Sequence, residues 1–399
     1  MGISAGVGIS KHKDSYQAGY EAARMAADRI HPQKPNIFFA FTSVAFDQQE
    51  VIRGIRDVGE RVPVVGCTDA GEITNEGPAK KSVAVMGIWS DSVMFTPGCC
   101  SDTAASPREK GHIVAKEVRD RTPDPIRAFI MFPDVLTANG AEIVRGTLDI
   151  LGEHFLVIGG AAGDDFLFEK TFQYCNDQVM TGTVSGVGLS GSFTMGIGVR
   201  HGWVPIGIPK KVTKSTGAVV EELDGKPAVR IYEEYFGKDA EDLRKEPLAR
   251  LAITYPLGIK ISETEEYLIR DPITVDEKGA ITCAAEIPEG SEVRLMIGSK
   301  EKAVEAAQDA ARHLMDDFEA AHAAPKFVLM FNCIAREKLF GARAKDEIDA
   351  VMNIIGRDVP LLGFYTYGEQ APSGGESRNP EKINSRFYNE TMVMFGVGE

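Results

Sequence analysis

Residues 37–43 read IFFAFTS, residues 128–134 read AFIMFPD and residues 327–333 read FVLMFNC. Each is a continuous apolar run of strand length, the pattern expected when both faces of a sheet are covered. Outward from each run the same elements recur. Upstream stands a helical stretch, SYQAGYEAARMAADRI (15–30), GHIVAKEVRDR (111–121) or EKAVEAAQDAARHLMDDF (301–318), followed by a proline at 35, 125 or 325. Downstream come a second helix, QQEVIRGIRDV (48–58), AEIVRGTLDIL (141–151) or DEIDAVMNIIG (346–356), and a second strand, VPVVGCTDAGEI (62–73), FLVIGGAAGDDF (155–166) or VPLLGFYTYGEQ (359–370). In the second helices apolar residues recur at helical spacing, as in Val51, Ile55 and Val58, so one stripe packs on a sheet while the other face is charged. A further alternating strand follows each copy, SVAVMGIW (82–89), FTMGIGV (193–199) and TMVMFGVG (391–398), predicted antiparallel to the others. The chain is read as mixed α/β, with repeated helix-strand-helix-strand units forming mixed β-sheets covered by helices. Two domains are expected: residues 1–227 with two copies, and residues 228–399 with a β-rich insert (YPLGIKI, EYLIRDPITV and EVRLMIG as strands) and the third copy.

Composition narrows the function. The 399 residues carry 44 Lys plus Arg against 58 Asp plus Glu, a net charge of −14, which disfavours nucleic acid and anionic membrane as partners. Six cysteines without a CxxC pair argue against a disulfide framework and for a reducing, cytoplasmic compartment. The opening MGISAGVGISKHK has no basic segment followed by an apolar one, so no export signal is expected. The uncharged run 178–199 has the length of a membrane span, but 12 of its 22 residues are Gly, Ser or Thr, and it reads as β structure.

The candidate chemistry lies beyond the second strands. In each copy a glycine is followed six residues later by an acid: Gly66 and Glu72, Gly159 and Asp165, Gly363 and Glu369. Ligands of open α/β sheets bind at the carboxyl ends of strands, and glycine lets backbone N–H groups approach them closely. GCTDAGE and GFYTYGE share the spacing of a phosphate loop but have Glu where that loop needs Lys, so an amine or hydroxyl fits better than phosphate. The plainer reading, that glycine makes a turn and the acid caps the next segment, stays open beside it. The candidate ligand-binding set is Gly66, Cys67, Thr68, Gly71, Glu72, Asp164, Asp165, His201, Trp203, Tyr365, Tyr367 and Glu369. Gly186, Gly188 and Gly191 form a GxGxxG string, but alternating apolar residues around it and Lys211 where an acid should stand reject a dinucleotide site. The seven histidines show neither HxxxH nor HExxH, so no multi-histidine metal site is expected, although His201 at a strand end could serve as a single axial ligand if haem binds. There is no GxSxG; Cys67 is the one candidate nucleophile, without an assigned base, so the expectation is a non-enzymatic protein, with an enzyme using Cys67 or the acidic loops as an alternative.

Several separated motifs in order, VPVVGCTDAGEI, HGWVPIG (201–207), LDGKPA (223–228), YPLGI (255–259), GFYTYGEQAP (363–372) and FYNETMVMF (387–395), resemble the FIST sensory domain over nearly the whole chain. The resemblance implies an intracellular sensor module binding small ligands, amino acids or related polar metabolites being the proposed class. Some members resemble haem-binding nitric oxide sensors acting on a histidine kinase, and eukaryotic relatives carry an F-box. No kinase, cyclase, chemoreceptor or F-box segment is recognisable here, so any output is expected to pass through a separate signalling protein.

Overall fold

The computed structural model describes residues 2–60, 62–237, 243, 248–261 and 267–399. The mixed α/β class holds. Strands β1 (Ile3–Ser10), β2 (Ile37–Thr42), β3 (Val64–Thr68) and β6 (Val83–Ser90) form the first unit, with the short hairpin β4 (Glu72–Thr74) and β5 (Gly77–Pro78). The second has β7 (Val93–Cys100), β8 (Ile126–Pro133), β9 (Val157–Gly160), β12 (Val184–Gly191) and the hairpin β10 (Gln173–Cys175) and β11 (Gln178–Met180). The third has β13 (Thr194–Arg200), β22 (Pro325–Cys333), β23 (Leu361–Thr366), β26 (Met392–Gly398) and the pair β24 (Glu369–Pro372) and β25 (Ser385–Tyr388). In each unit the apolar strand runs parallel to the one after the second helix and antiparallel to the last, as the patterning predicts. Two elements differ. Ile3–Ser10 is a strand that alternation had not disclosed. FTMGIGV opens the third unit instead of closing the second, because β13 pairs with β26 while β12 pairs with β8.

Each unit gives its hairpin to a neighbour. β10 pairs with β3, β24 with β9, and β4 with β23, so the exchange runs around the ring and closes. The glycine of each repeat sits inside its strand at this junction, not in a loop: Gly66 faces Tyr174, Gly159 faces Gln370 and Gly363 faces Ile73. A Cβ on any of the three would run into the carbonyl of the equivalent residue on the parallel neighbour, Ala40, Met131 or Met330. The repeated glycine is therefore required by close backbone approach between strands.

Alternate residues of the central strands face opposite ways. Phe39 and Phe41, Ile130 and Phe132, Leu329 and Phe331 point into one core shared by all three units. At its centre Phe41 and Phe132 have ring centroids 5.5 Å apart, Phe132 and Phe331 6.1 Å, and Phe364 lies 4.3 Å from Phe41. Phe38 and Ala40, or Val328 and Met330, point outward under the helices. Those are Ser15–Asp28 and Gln48–Val58, Pro107–Arg121 and Gly140–Leu151, and Lys300–Ala320 and Ala344–Ile355. A further helix, Ile334–Phe340, follows β22.

Between β13 and the helix Lys300–Ala320 the third unit is interrupted by an antiparallel sheet. Its strands are β14 (Val204–Thr216), β15 (Val219–Leu223), β16 (Lys226–Pro227), β17 (Leu257–Lys260), β18 (Tyr267–Arg270), β19 (Pro272–Val275), β20 (Ile281–Cys283) and β21 (Glu292–Ile297). Glu266, at the start of one strand expected from sequence, lies outside the described residues. KPAVRIYEEYFG is β16 followed by the helix Arg230–Phe236, and β16 pairs with β15 in this sheet. Among the described residues no helix is long and apolar enough to cross a membrane.

Candidate functional site

The chain leaves the third sheet for the insert through His201, Gly202 and Trp203. Gly202 has φ +91°, and a Cβ there would stand 2.9 Å from the Lys302 carbonyl, so only glycine turns this closely over the start of the long helix. The turn buries Trp203 to 2% exposure, with its indole N–H donating to the Ile253 carbonyl at 3.2 Å and its ring against Ile269 and Met296 of the insert. Gly298 clears space for it, since a Cβ there would lie 2.6 Å from the indole Cε2. Below sits Arg336, fully buried on the helix Ile334–Phe340 and 5.6 Å from the Trp203 ring. It is paired with the equally buried Glu347 and donates to the carbonyls of His201 and Ala303. A buried pair of this kind survives only because its donors are satisfied. It holds the strand exit, the long helix and the helix Ala344–Ile355 together.

Above this hub opens a cleft of about 660 Å³, with His201 and Trp203 on its wall and Tyr267, Lys260, Arg294, Tyr388 and Thr391 around them. Register explains the grouping. Gly258 faces Arg294 and Lys260 faces Tyr267 across neighbouring strands, and residues two apart on a strand share a face. The guanidinium Nε of Arg294 is buried with no hydrogen-bond partner among the described residues. Arg200 and Lys302 add positive charge to the wall, against Glu305 and Asp309, and Lys302 is already paired with Glu305 at 2.6 Å. Positive charge thus gathers beside aromatic rings in a chain whose net charge is −14. His201 adds none near neutrality: desolvation, then Arg336 and Arg200, push its imidazole down to about 4. Its Nδ1 accepts the Trp203 backbone N–H at 3.0 Å.

The remaining sequence candidates meet elsewhere. The turns after the second strands do converge, but by bonding to one another. Ala70 N–H donates to the Tyr365 carbonyl at 3.0 Å and Tyr365 N–H to that of Gly71 at 2.8 Å; Gly163 N–H reaches Thr68 at 2.9 Å and Ala161 N–H reaches Gly368 at 2.7 Å. The side chains are likewise engaged. Glu72 accepts the Ser82 hydroxyl at 2.5 Å and the Ser82 N–H at 3.1 Å, and Glu369 accepts the Thr366 hydroxyl and, at 3.2 Å, the Thr391 N–H. Asp164 accepts three backbone N–H groups, of Phe168, Glu169 and Lys170, and the Tyr367 hydroxyl. Asp165 accepts the Ser43 hydroxyl at 2.6 Å, and Thr68 Oγ1 the Phe172 N–H at 2.9 Å. Gly71 has φ +136°, as its turn requires, and Tyr365 is buried with an unpartnered hydroxyl.

Burial pushes the Glu72 carboxyl up to about 7, with Asp165 adding to the rise, and drives Glu369 well above the ordinary range. None of the three repeat acids lies on the wall of the cleft at His201. Glu369 comes nearest, since the Thr391 that holds it also lines the cleft. Cys67 is fully buried, and desolvation followed by Asp69 drives its thiol well above the usual range, so it has neither the exposure nor the thiolate of a nucleophile. The sequence reading missed Asp69, which is buried, bonded to the Gly71 N–H at 2.8 Å and unpartnered at Oδ2. It also missed Arg336, Arg294 and Lys260, which no short motif marks; strand register groups Arg294 with Lys260, and a helix carries Arg336.

Haem does not fit His201. A neutral ring whose Nδ1 accepts a hydrogen bond carries its proton on Nε2, whereas an axial ligand offers one nitrogen to iron and donates from the other. Among the described residues no three His, Cys, Asp or Glu side chains are grouped to hold a metal ion.

Residues 36–226 match the model of the FIST N domain and residues 228–372 that of the FIST C domain. The chain belongs to the FIST family. FIST domains are sensory domains, and the His201 turn lies in the N part of this FIST chain while Lys260 and Arg294 lie in the C part. An uncharacterised protein of Mycobacterium tuberculosis is 25% identical over 381 residues, covering 93% of this FIST chain and 96% of its own length. One of Methanocaldococcus jannaschii is 26% identical over 383 residues, covering 90% and 69%. Among solved structures, a cyanuric acid hydrolase from A. caulinodans aligns over 99% of both chains with a TM-score of 0.38 at 10% identity, and a chorismatase over 100% of both with 0.35 at 7%.

Proposed function

We propose that this FIST chain is a non-enzymatic sensor that binds a small metabolite in the cleft at His201 and Trp203, an amino acid or a derivative being the class that suits it. The observation that carries the reading is Arg294, a guanidinium with an unpartnered buried nitrogen, standing beside Lys260 on a wall shared with Tyr267 and Trp203. A ligand carboxylate satisfies the cations, its side chain lies on the rings, and Glu305 and Asp309 are available for an ammonium group. The cleft joins the insert to the three-unit core, so a bound ligand bears on the junction between the two. The output then passes to a separate signalling protein, such as a histidine kinase.

The test is thermal-shift and calorimetric screening of the whole protein against amino acids, amines and simple carboxylates. At least one carboxylate-bearing compound should stabilise it, and Arg294→Ala should weaken that compound by about tenfold or more, the loss of a charge-assisted hydrogen bond. No stabilisation at millimolar concentration, or binding indifferent to both Arg294→Ala and Lys260→Ala, sinks the reading.

A further inference from the structure

A pair of cysteines far from the cleft at His201 meets at the seam between the first two units. Cys99 stands near the end of β7, the outer strand of the second sheet, and Cys175 ends β10, the strand that the second unit lends to the first. Across the hairpin Cys175 faces Gln178, and the Cys99 sulfur lies 3.5 Å from the Gln178 side-chain oxygen, so the two cysteines flank the same residue where β7 and β10 touch. Neither is in a disulfide. Cys99 is half-buried and open to solvent, whereas Cys175 is 3% exposed behind it.

The surroundings separate the two chemically. The neighbouring Cys175 thiol, with Arg121, lowers the Cys99 thiol from its usual value against burial and Glu117, while Cys99 and burial raise that of Cys175. Burial pushes Cys67, Cys100, Cys283 and Cys333 up as well, so Cys99 is the one cysteine biased toward thiolate. A half-exposed cysteine with a lowered thiol beside a second, buried cysteine is the arrangement of a peroxide-sensitive cysteine with its resolving partner.

We propose that Cys99 and Cys175 are a reversible oxidation site, in which a peroxide reacts at Cys99 and Cys175 closes a disulfide across the seam. In the first step the Cys99 thiolate attacks one peroxide oxygen, the O–O bond breaks, and hydroxide leaves and takes up a proton, giving a sulfenic acid. In the second the Cys175 sulfur attacks Cys99 Sγ, the S–O bond breaks, and the hydroxyl leaves as water with the Cys175 proton. Two thiols are oxidised and one peroxide becomes two waters. The product ties β7 to the hairpin on β3, the strand that leads into the Thr68–Glu72 turn.

The experiment uses the full chain, treated with hydrogen peroxide at one to ten equivalents, alkylated and mapped by mass spectrometry. A Cys99–Cys175 cross-linked peptide with two hydrogens lost per chain, reversed by dithiothreitol, is the expected result. Cys175→Ser should leave Cys99 as a dimedone-reactive sulfenic acid, and in the untreated protein Cys99 should alkylate about ten times faster than the other five cysteines. The wild-type peptide map stands whether or not a variant folds. Both thiols still free after peroxide, or oxidation appearing at Cys100 or between chains instead, overturns the assignment. None of these outcomes depends on ligand binding at Arg294.

Discussion

Two side chains give opposite pH signatures. Glu72 holds its proton more tightly folded than unfolded, so its contribution to stability is full below pH 4.5 and fades as pH rises to about 7. His201 resists protonation until about pH 4 when folded but takes a proton near 6.5 when unfolded, so its contribution is full above pH 6.5 and is lost as pH falls toward 4. Each spans a pKa difference equivalent to about 3 kcal/mol. Urea unfolding at a series of pH values should show the stability of wild type relative to Glu72→Gln falling between pH 4.5 and 7, and that relative to His201→Gln rising between pH 4 and 6.5. Curves parallel to wild type would mean that the two environments are not as described. Only part of this was legible beforehand. The position of His201 at a strand end beside Gly202 and Trp203 is plain in the sequence, but its companions are not. Lys260 and Arg294 are 34 residues apart in the chain and share a face only because β17 and β21 pair in one register.

At the scale of elements, the glycines decide how closely strands and rings pack. Gly298 follows β21 and lies under the Trp203 indole, where a methyl group would meet the ring and force it off its seat. Gly298→Ala should destabilise the protein by about 1–3 kcal/mol, the usual effect of overpacking. In a Trp89→Phe background, the emission of Trp203 should also shift to the red as the ring gains solvent. Unchanged emission and stability would show that the indole has room the geometry denies. The repeat itself was readable, since apolar runs and helical stripes record burial directly, and the second helices Gln48–Val58, Gly140–Leu151 and Ala344–Ile355 fall where their periodicity puts them. Harder to read were the short pieces. Ile3–Ser10 carries two glycines and few large apolar residues, so its pairing with β6 leaves little mark on composition. Apolar residues at 187, 189, 193, 195, 197 and 199 keep one phase, yet Gly191 and Ser192 between them carry the chain from one sheet to another.

At the scale of the whole molecule, the cyclic exchange of hairpins makes each sheet depend on a neighbouring unit. A fragment of residues 1–192 lacks β24, the partner of β9, and leaves β4 without β23, while Phe331 and Phe364 are missing from the central ring cluster. It should fail to fold on its own, giving a circular dichroism spectrum and hydrogen exchange of an open chain, whereas adding residues 193–399 as a second fragment should restore strand content. An independently folded fragment would show the units to be separable. The sequence by itself determined the three-fold repetition, the alternation of helix and strand, the acidic composition and the family, because burial pattern and motif order are local and survive in one dimension. Only the tertiary structure decided that the repeat acids are tied down by hydroxyl and backbone N–H groups, and that the cleft lined by Lys260 and Arg294 lies where the insert meets the core. Which strand a hairpin joins, and therefore what each carboxylate or guanidinium faces, is set by contacts between residues hundreds of positions apart, and no local pattern encodes them.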